Sequence, residues 1–136
     1  MLKISKELTR LMEAHLEKAY PGEGAGFLLG VDGDVSQVLP LDNAREESAR
    51  RNRYLILPED YLKAETKAME LGVDLIGVFH SHPDCPNEPS EYDREWAQPF
   101  FSYVITRVDN GSVVGHRSWK LREDRVKYEE EELQII

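Results

Sequence analysis

The sequence holds one cysteine, Cys85, in 136 residues, which excludes an internal disulfide and predicts a reducing, cytoplasmic setting. Long apolar runs are missing too. None approaches the roughly 20 residues that cross a bilayer as a helix. Positive charge is scarce: 17 Lys and Arg stand against 26 Asp and Glu, a formal net charge of -9. Such a chain lacks the cationic surface that neutralises a phosphate backbone or an anionic lipid surface, so neither nucleic acid nor membrane is expected as a partner. Met1 to Ser5 leads straight into a charged amphipathic stretch, which predicts no secretory signal. Repeats, low-complexity tracts and linkers are absent as well. What remains, 40% apolar and 32% charged residues, is the composition of a soluble globular protein, expected to form a single domain over residues 1–136. A homodimer is compatible with this composition.

Apolar periodicity predicts the elements. Ser5 suits an N-cap, and Leu8, Leu11, Met12, Leu16 and Ala19 share one helical face up to Tyr20, where Pro21-Gly22 ends the helix. His15 in this helix reads as a packed or exposed histidine. Ala25 to Val31 and Val35 to Leu39 read as a hairpin around Asp32-Gly33, with Glu23 at its entrance. Asp42 to Arg53 is a polar connection rich in arginine, read as a solvated loop, with contact to a substrate tail as the sharper reading. Tyr54 to Leu57 reads as a short strand, and Pro58 opens a helix to about Leu71, stopped by Gly72. Val73 to His82 is a buried strand, Ser90 to about Ala97 a short helix, and Phe101 to Val108 and Ser112 to Leu121 a second hairpin around Asp109-Asn110-Gly111. Val126 to Ile136 carries Glu129 to Glu132 and reads as a final strand ending in Leu133 to Ile136. Hairpins, helices and few crossovers make this an α+β fold, a mixed and largely antiparallel sheet flanked by helices.

The chemistry concentrates in His80-Ser81-His82-Pro83 and the loop to Asp93. Side chains alternate along a strand, so His80 and His82 point to the same side at its end. Two histidines and one aspartate form a three-ligand zinc set with the fourth position left to water, the arrangement of a catalytic zinc. A hydrolase also needs an unligated acid or base near the metal, and Glu88, Glu91 and Glu95 stand close in sequence. Ser90 and Asp93 are spaced as a helix capping box, which accounts for them without any metal but leaves the histidine pair unexplained. Ser90 could instead donate a hydrogen bond to an oxyanion; one residue would not easily do both. Cys85 as a fourth ligand would close the site and make it structural, whereas a place beside the pocket or in solvent is simpler. His116 lies in a remote strand and reads as structural.

His80-x-His82-Pro83 followed by Pro89-Ser90-x-x-Asp93 resembles the signature of the JAMM (MPN-plus) metalloproteases, in which a glutamate lies well upstream. Gly26 to Gly30, Ile76 to Phe79 and Tyr103 to Ile105 resemble the strands that frame the family's site, so the likeness covers roughly Ser5 to Leu121. It implies the JAMM/MPN architecture, which is cytidine-deaminase-like. It implies zinc on His80, His82 and Asp93, Glu23 as general acid/base, and Ser90 as oxyanion donor. It also implies hydrolysis of a peptide or isopeptide bond at the C-terminal glycine of a ubiquitin-like or sulfur-carrier protein of β-grasp fold. The near-bare domain is more similar to compact prokaryotic members. Many of these carry cysteines after the early glutamate, where Gly24-Ala25 stand here. The rival expectations are a non-catalytic MPN-type scaffold and a zinc hydrolase of small amides.

Overall fold

A computed structural model describes residues 1–41 and 56–136. The elements in chain order begin with β1 (Leu2–Ile4), α1 (Lys6–Ala19), β2 (Ala25–Val31) and β3 (Asp34–Leu41). Then come α2 (Pro58–Leu71), β4 (Asp74–Pro83) and α3 (Glu91–Trp96). The chain ends with β5 (Ser102–Asp109), β6 (Ser112–Leu121), β7 (Tyr128–Glu131) and β8 (Leu133–Ile135). Helix starts follow local chemistry. The Ser5 Oγ accepts the Leu8 amide at 3.1 Å to cap α1, and Gly72 closes α2 in the left-handed region at φ 70°.

The strands form one sheet in the order β7-β6-β5-β4-β2-β3-β1-β8. β4 pairs antiparallel with β2 and parallel with β5, so the histidine strand lies in the middle of the sheet. Alternation then builds two cores. Leu28, Phe79 and Val104 face Met12 and Leu16 of α1, while Phe27, Val78 and Tyr103 face Ala64 of α2 and Phe101. A central strand buried on both faces has to be apolar at successive positions, which is why the run to Phe79 shows no alternation. Burying a Phe of this kind contributes about 1.5–3 kcal/mol. Gly26 makes room for the Phe79 ring: a Cβ there would run into Phe79 Cζ, Phe79 Cε1 and the Leu39 carbonyl oxygen.

β7 and β8 lie at opposite edges of the sheet, yet Glu132 alone separates them in the chain. Eight flat strands would hold these edges about 34 Å apart, so the sheet curls until its edges meet. The Leu2 amide donates to the Glu132 carbonyl at 2.9 Å, and the Met1 ammonium lies 3.6 Å from Glu131 at this seam.

Apart from the expected strands at Tyr54–Leu57 and Val126–Ile136, the expected elements are present with shifts of one or two residues at their ends. β1 is an addition, and the single strand expected from Val126 to Ile136 is two short strands, β7 and β8, at opposite edges of the sheet. Of the expected strand Tyr54–Leu57, Tyr54 and Leu55 lie outside the described residues. Ile56 and Leu57 are not in a strand: Leu57 is the N-cap of α2, its amide donating to Asp60 Oδ2 at 2.9 Å. The arginine-rich stretch from Asp42 to Arg53 lies outside the described residues as well. Among the described residues no helix is long and apolar enough to cross a membrane.

Candidate metal centre

His80 and His82 share the face of β4 that also carries Val78, the face covered by α2 and α3. Both are buried, at 0% and 7% exposure. Their Nε2 atoms lie 3.2 Å apart. The His82 Nδ1–H donates to the Pro86 carbonyl oxygen at 2.7 Å, which selects the tautomer whose neutral ring carries its lone pair on Nε2. The loop between β4 and α3 therefore does more than connect them. It holds the second histidine with Nε2 turned towards Asp93.

Asp93 enters from the first turn of α3. Its Oδ1 lies 3.3 Å from His80 Nε2 and its Oδ2 3.2 Å from His82 Nε2. The capping box is formed as well: the Ser90 amide donates to Asp93 Oδ2 at 2.9 Å, and the Asp93 amide donates to Ser90 Oγ at 3.1 Å. Capping and metal-facing geometry were competing explanations of Asp93, and the carboxylate satisfies both. Burial pushes the Asp93 carboxyl up, but His80, His82 and the Ser90 amide outweigh it and hold the group far below the usual carboxylate range. Burial pushes His80 down, against the pull of Asp93. Ionised carboxylate and neutral imidazole are the forms a metal requires.

The donor spacing provides a test of fit. Zinc holds nitrogen and carboxylate oxygen at about 2.0–2.2 Å, so two corners of a zinc tetrahedron stand about 3.3 Å apart. The three separations here are 3.2, 3.3 and 3.2 Å. The two imidazole nitrogens and the Asp93 carboxylate are thus gathered at separations that neighbouring ligands of one zinc have, each nitrogen facing its own Asp93 oxygen.

Glu23 reaches the same place by strand register. Ala25 is opposite His80 in the antiparallel β2–β4 pair, and Glu23 lies two residues before it, where the chain approaches β2 beside the histidine pair. Glu23 is 5% exposed, and its carboxylate forms with His80 and His82 a group whose ligand atoms all lie within 4.8 Å of one another. Gly24 beside it is pressed against α1. A Cβ there would stand 3.0 Å from both Ala19 Cβ and Leu16 Cδ2, so a larger residue has little room.

The other candidates are not among the gathered donors. Cys85 is exposed, and its thiol is pushed up first by partial burial and then by the nearby Glu23 carboxylate. Glu88 pairs with Arg117 at 3.2 Å and Glu91 with Arg94 at 2.6 Å, both on the surface, and Glu95 is exposed. His15 Nε2 lies 3.1 and 3.2 Å from the Ala25 and Leu41 carbonyl oxygens, and His116 sits between Glu13 and Thr106 at 2.8 and 2.6 Å. Both are structural, as their sequence context predicts. Ser90 stands at the exposed rim. Its oxygen accepts the Asp93 amide, which leaves its single hydroxyl proton free to donate elsewhere. Sequence reasoning missed the supports of the centre, the Pro86 carbonyl and the Ser81 hydroxyl; backbone carbonyls carry no sequence signal, and the Ser81 contact depends on strand register.

Known proteins resemble the chain. It is 36% identical over 110 residues to a probable TtuB-protein conjugate cleaving protease of Thermus thermophilus, covering 80% of this chain and 72% of that protein. It is 34% identical over 100 residues to a desampylase of Haloferax volcanii, covering 71% of this chain and 69% of that one. A Desulfitobacterium hafniense protein solved in solution superposes with a TM-score of 0.85 at 30% identity, covering 100% of this chain and 93% of that one. The family model for prokaryotic homologs of the JAB domain matches residues 5–122, from the cap of α1 to just beyond β6, and the chain belongs to that family.

Proposed function

We propose that this protein is a zinc-dependent peptidase or isopeptidase that hydrolyses the amide bond at the C-terminal glycine of a ubiquitin-like or sulfur-carrier protein of β-grasp fold. One observation carries the reading: the His80 and His82 Nε2 atoms stand 3.2 Å apart, each 3.2 or 3.3 Å from an oxygen of Asp93, with the buried Glu23 carboxylate beside them. The relatives' names, a TtuB-protein conjugate cleaving protease and a desampylase, support a protein conjugate as substrate. The protein works as one domain in a reducing cytoplasm.

In this reading His80 and His82 offer neutral Nε2 lone pairs and Asp93 supplies the charge. Zinc held there provides a Lewis acid for the scissile carbonyl and lowers the pKa of a water towards about 7. Glu23 takes the proton of the attacking water and returns it to the leaving amine. Ser90 keeps its lone pair on the Asp93 amide and donates its hydroxyl proton to the oxyanion, so the two roles use opposite ends of one group.

The test is a panel of amide conjugates of Gly-Gly-tailed carrier proteins, assayed beside metal analysis. The reading expects one zinc per chain, release of the carrier with an intact C-terminal glycine, loss of activity with a chelator and recovery with zinc. A protein that binds no zinc, or cleaves only small amides, would contradict it.

A further inference from the structure

Glu23 belongs to a bridge of three residues, Pro21-Gly22-Glu23, between the C-cap of α1 and the residue before β2. Both ends of the bridge are tied to the segment that carries the histidines. At the near end, the Tyr20 hydroxyl donates to Asp84 Oδ2 at 2.6 Å, two residues past His82. Asp84 is itself held from another side, its Oδ1 accepting the Asn110 amide at 2.9 Å and its own amide donating to the Val108 carbonyl at 2.8 Å. At the far end, the Ser81 amide donates to the Gly24 carbonyl at 3.0 Å, and the Gly24 amide donates to Ser81 Oγ at 2.9 Å.

The second tie departs from an ordinary ladder. Register places Gly24 opposite Ser81, where a paired strand would return the Gly24 amide to the Ser81 carbonyl. The amide goes to the hydroxyl instead, so β2 separates from β4 at the residue before it reaches Glu23. Ser81 lies between the two histidines and points to the opposite face, towards α1, with 1% exposure. Its hydroxyl is therefore no candidate for touching substrate or metal. It sets where the Glu23 backbone leaves the sheet.

We infer that Ser81, with the Tyr20–Asp84 bond as its counterpart, is a positioning residue that fixes the reach of Glu23 to the histidine pair. The inference rests on the proposed role of Glu23 and adds how that role is held in place. Ångström-scale misplacement of a catalytic group costs about 100-fold in rate, which is the scale on which such a tie matters.

The experiment compares Ser81→Ala, Ser81→Thr and Tyr20→Phe as zinc-loaded proteins, in the wild type and in a Glu23→Gln background. The expected result for Ser81→Ala is a fall in kcat of about 10- to 100-fold, with KM and zinc affinity within about 3-fold of wild type. The Gly24 amide should exchange faster, Ser81→Thr should recover most of the rate by keeping the hydroxyl, and Tyr20→Phe should lose less. In the Glu23→Gln background Ser81→Ala should cost nothing further, because both changes disable one device. Unchanged kcat, a rate loss matched by lost zinc affinity, or the full loss repeated in the Glu23→Gln background would each overturn the inference. If the wild-type zinc protein cleaves no conjugate, the functional reading falls, and Gly24 exchange still decides the tie: protection that survives Ser81→Ala removes it.

Discussion

His82 is bonded to Pro86, four residues further along the same loop: its Nδ1–H donates to the Pro86 carbonyl oxygen at 2.7 Å. The peptide that leads from the histidine strand to the capping box of α3 thus also sets which nitrogen of His82 faces Asp93. One short segment supplies two donor groups and the hydrogen bond that orients one of them.

Asp93→Asn separates capping from metal binding. The amide oxygen of asparagine can still accept the Ser90 amide, so the metal-free variant should fold with stability within about 1 kcal/mol of wild type. Its zinc affinity should fall by more than about 100-fold, beyond what the loss of an outer support costs. Chelator competition gives the affinity and urea unfolding the stability. Equal zinc affinity would remove Asp93 from the ligand set.

Metal-free protein should lose stability as pH falls through about 6.5. His80 is buried and its pKa is lowered, so the unfolded chain takes up a proton that the folded chain refuses. Protons then favour unfolding, with a slope of at most about 1.4 kcal/mol per pH unit from this group. Above that range both states are neutral and the slope vanishes. Urea unfolding in chelator from pH 8 to 5 should show the decline in wild type and a shallower one in His80→Gln. Identical pH profiles would refute it.

Cys85→Ser should keep one zinc per chain and wild-type turnover, with stability changed by less than about 0.5 kcal/mol, because the thiol is exposed and protonated. Loss of zinc in this variant would mean a closed four-ligand site.

Gly24→Cys should destabilise the fold by about 1–3 kcal/mol. The cause is the 3.0 Å approach of a Cβ to Ala19 and Leu16 on α1. Chemical unfolding measures it, and a neutral result would show that α1 shifts freely.

Much of the centre was legible because it is local. Period-two alternation put His80 and His82 on one side, and the Ser-x-x-Asp spacing put Asp93 at the start of a helix. Glu23 was different. Without the resemblance nothing local separates it from Glu88, Glu91 and Glu95; its place depends on the antiparallel pairing of Ala25 with His80, which brings the segment before β2 to the histidines. The closure of the sheet was hidden for a related reason. β1 and β8 are three residues each and β7 is four, too short for a period; β7 pairs with β6 just before it, whereas β8 finds its partner only in β1 at the other end of the chain. The two-sided burial of β4 was readable from its unbroken apolar run, whereas the hydroxyl of Ser81 substituting for a ladder carbonyl was not.

Glu23→Gln tests the central claim most directly, measured as zinc content and conjugate cleavage on the same preparation. The account predicts one zinc per chain and a fall in kcat of about 100- to 10,000-fold, the usual worth of a general acid–base group. Full cleavage activity in that variant, or loss of its zinc, would contradict it.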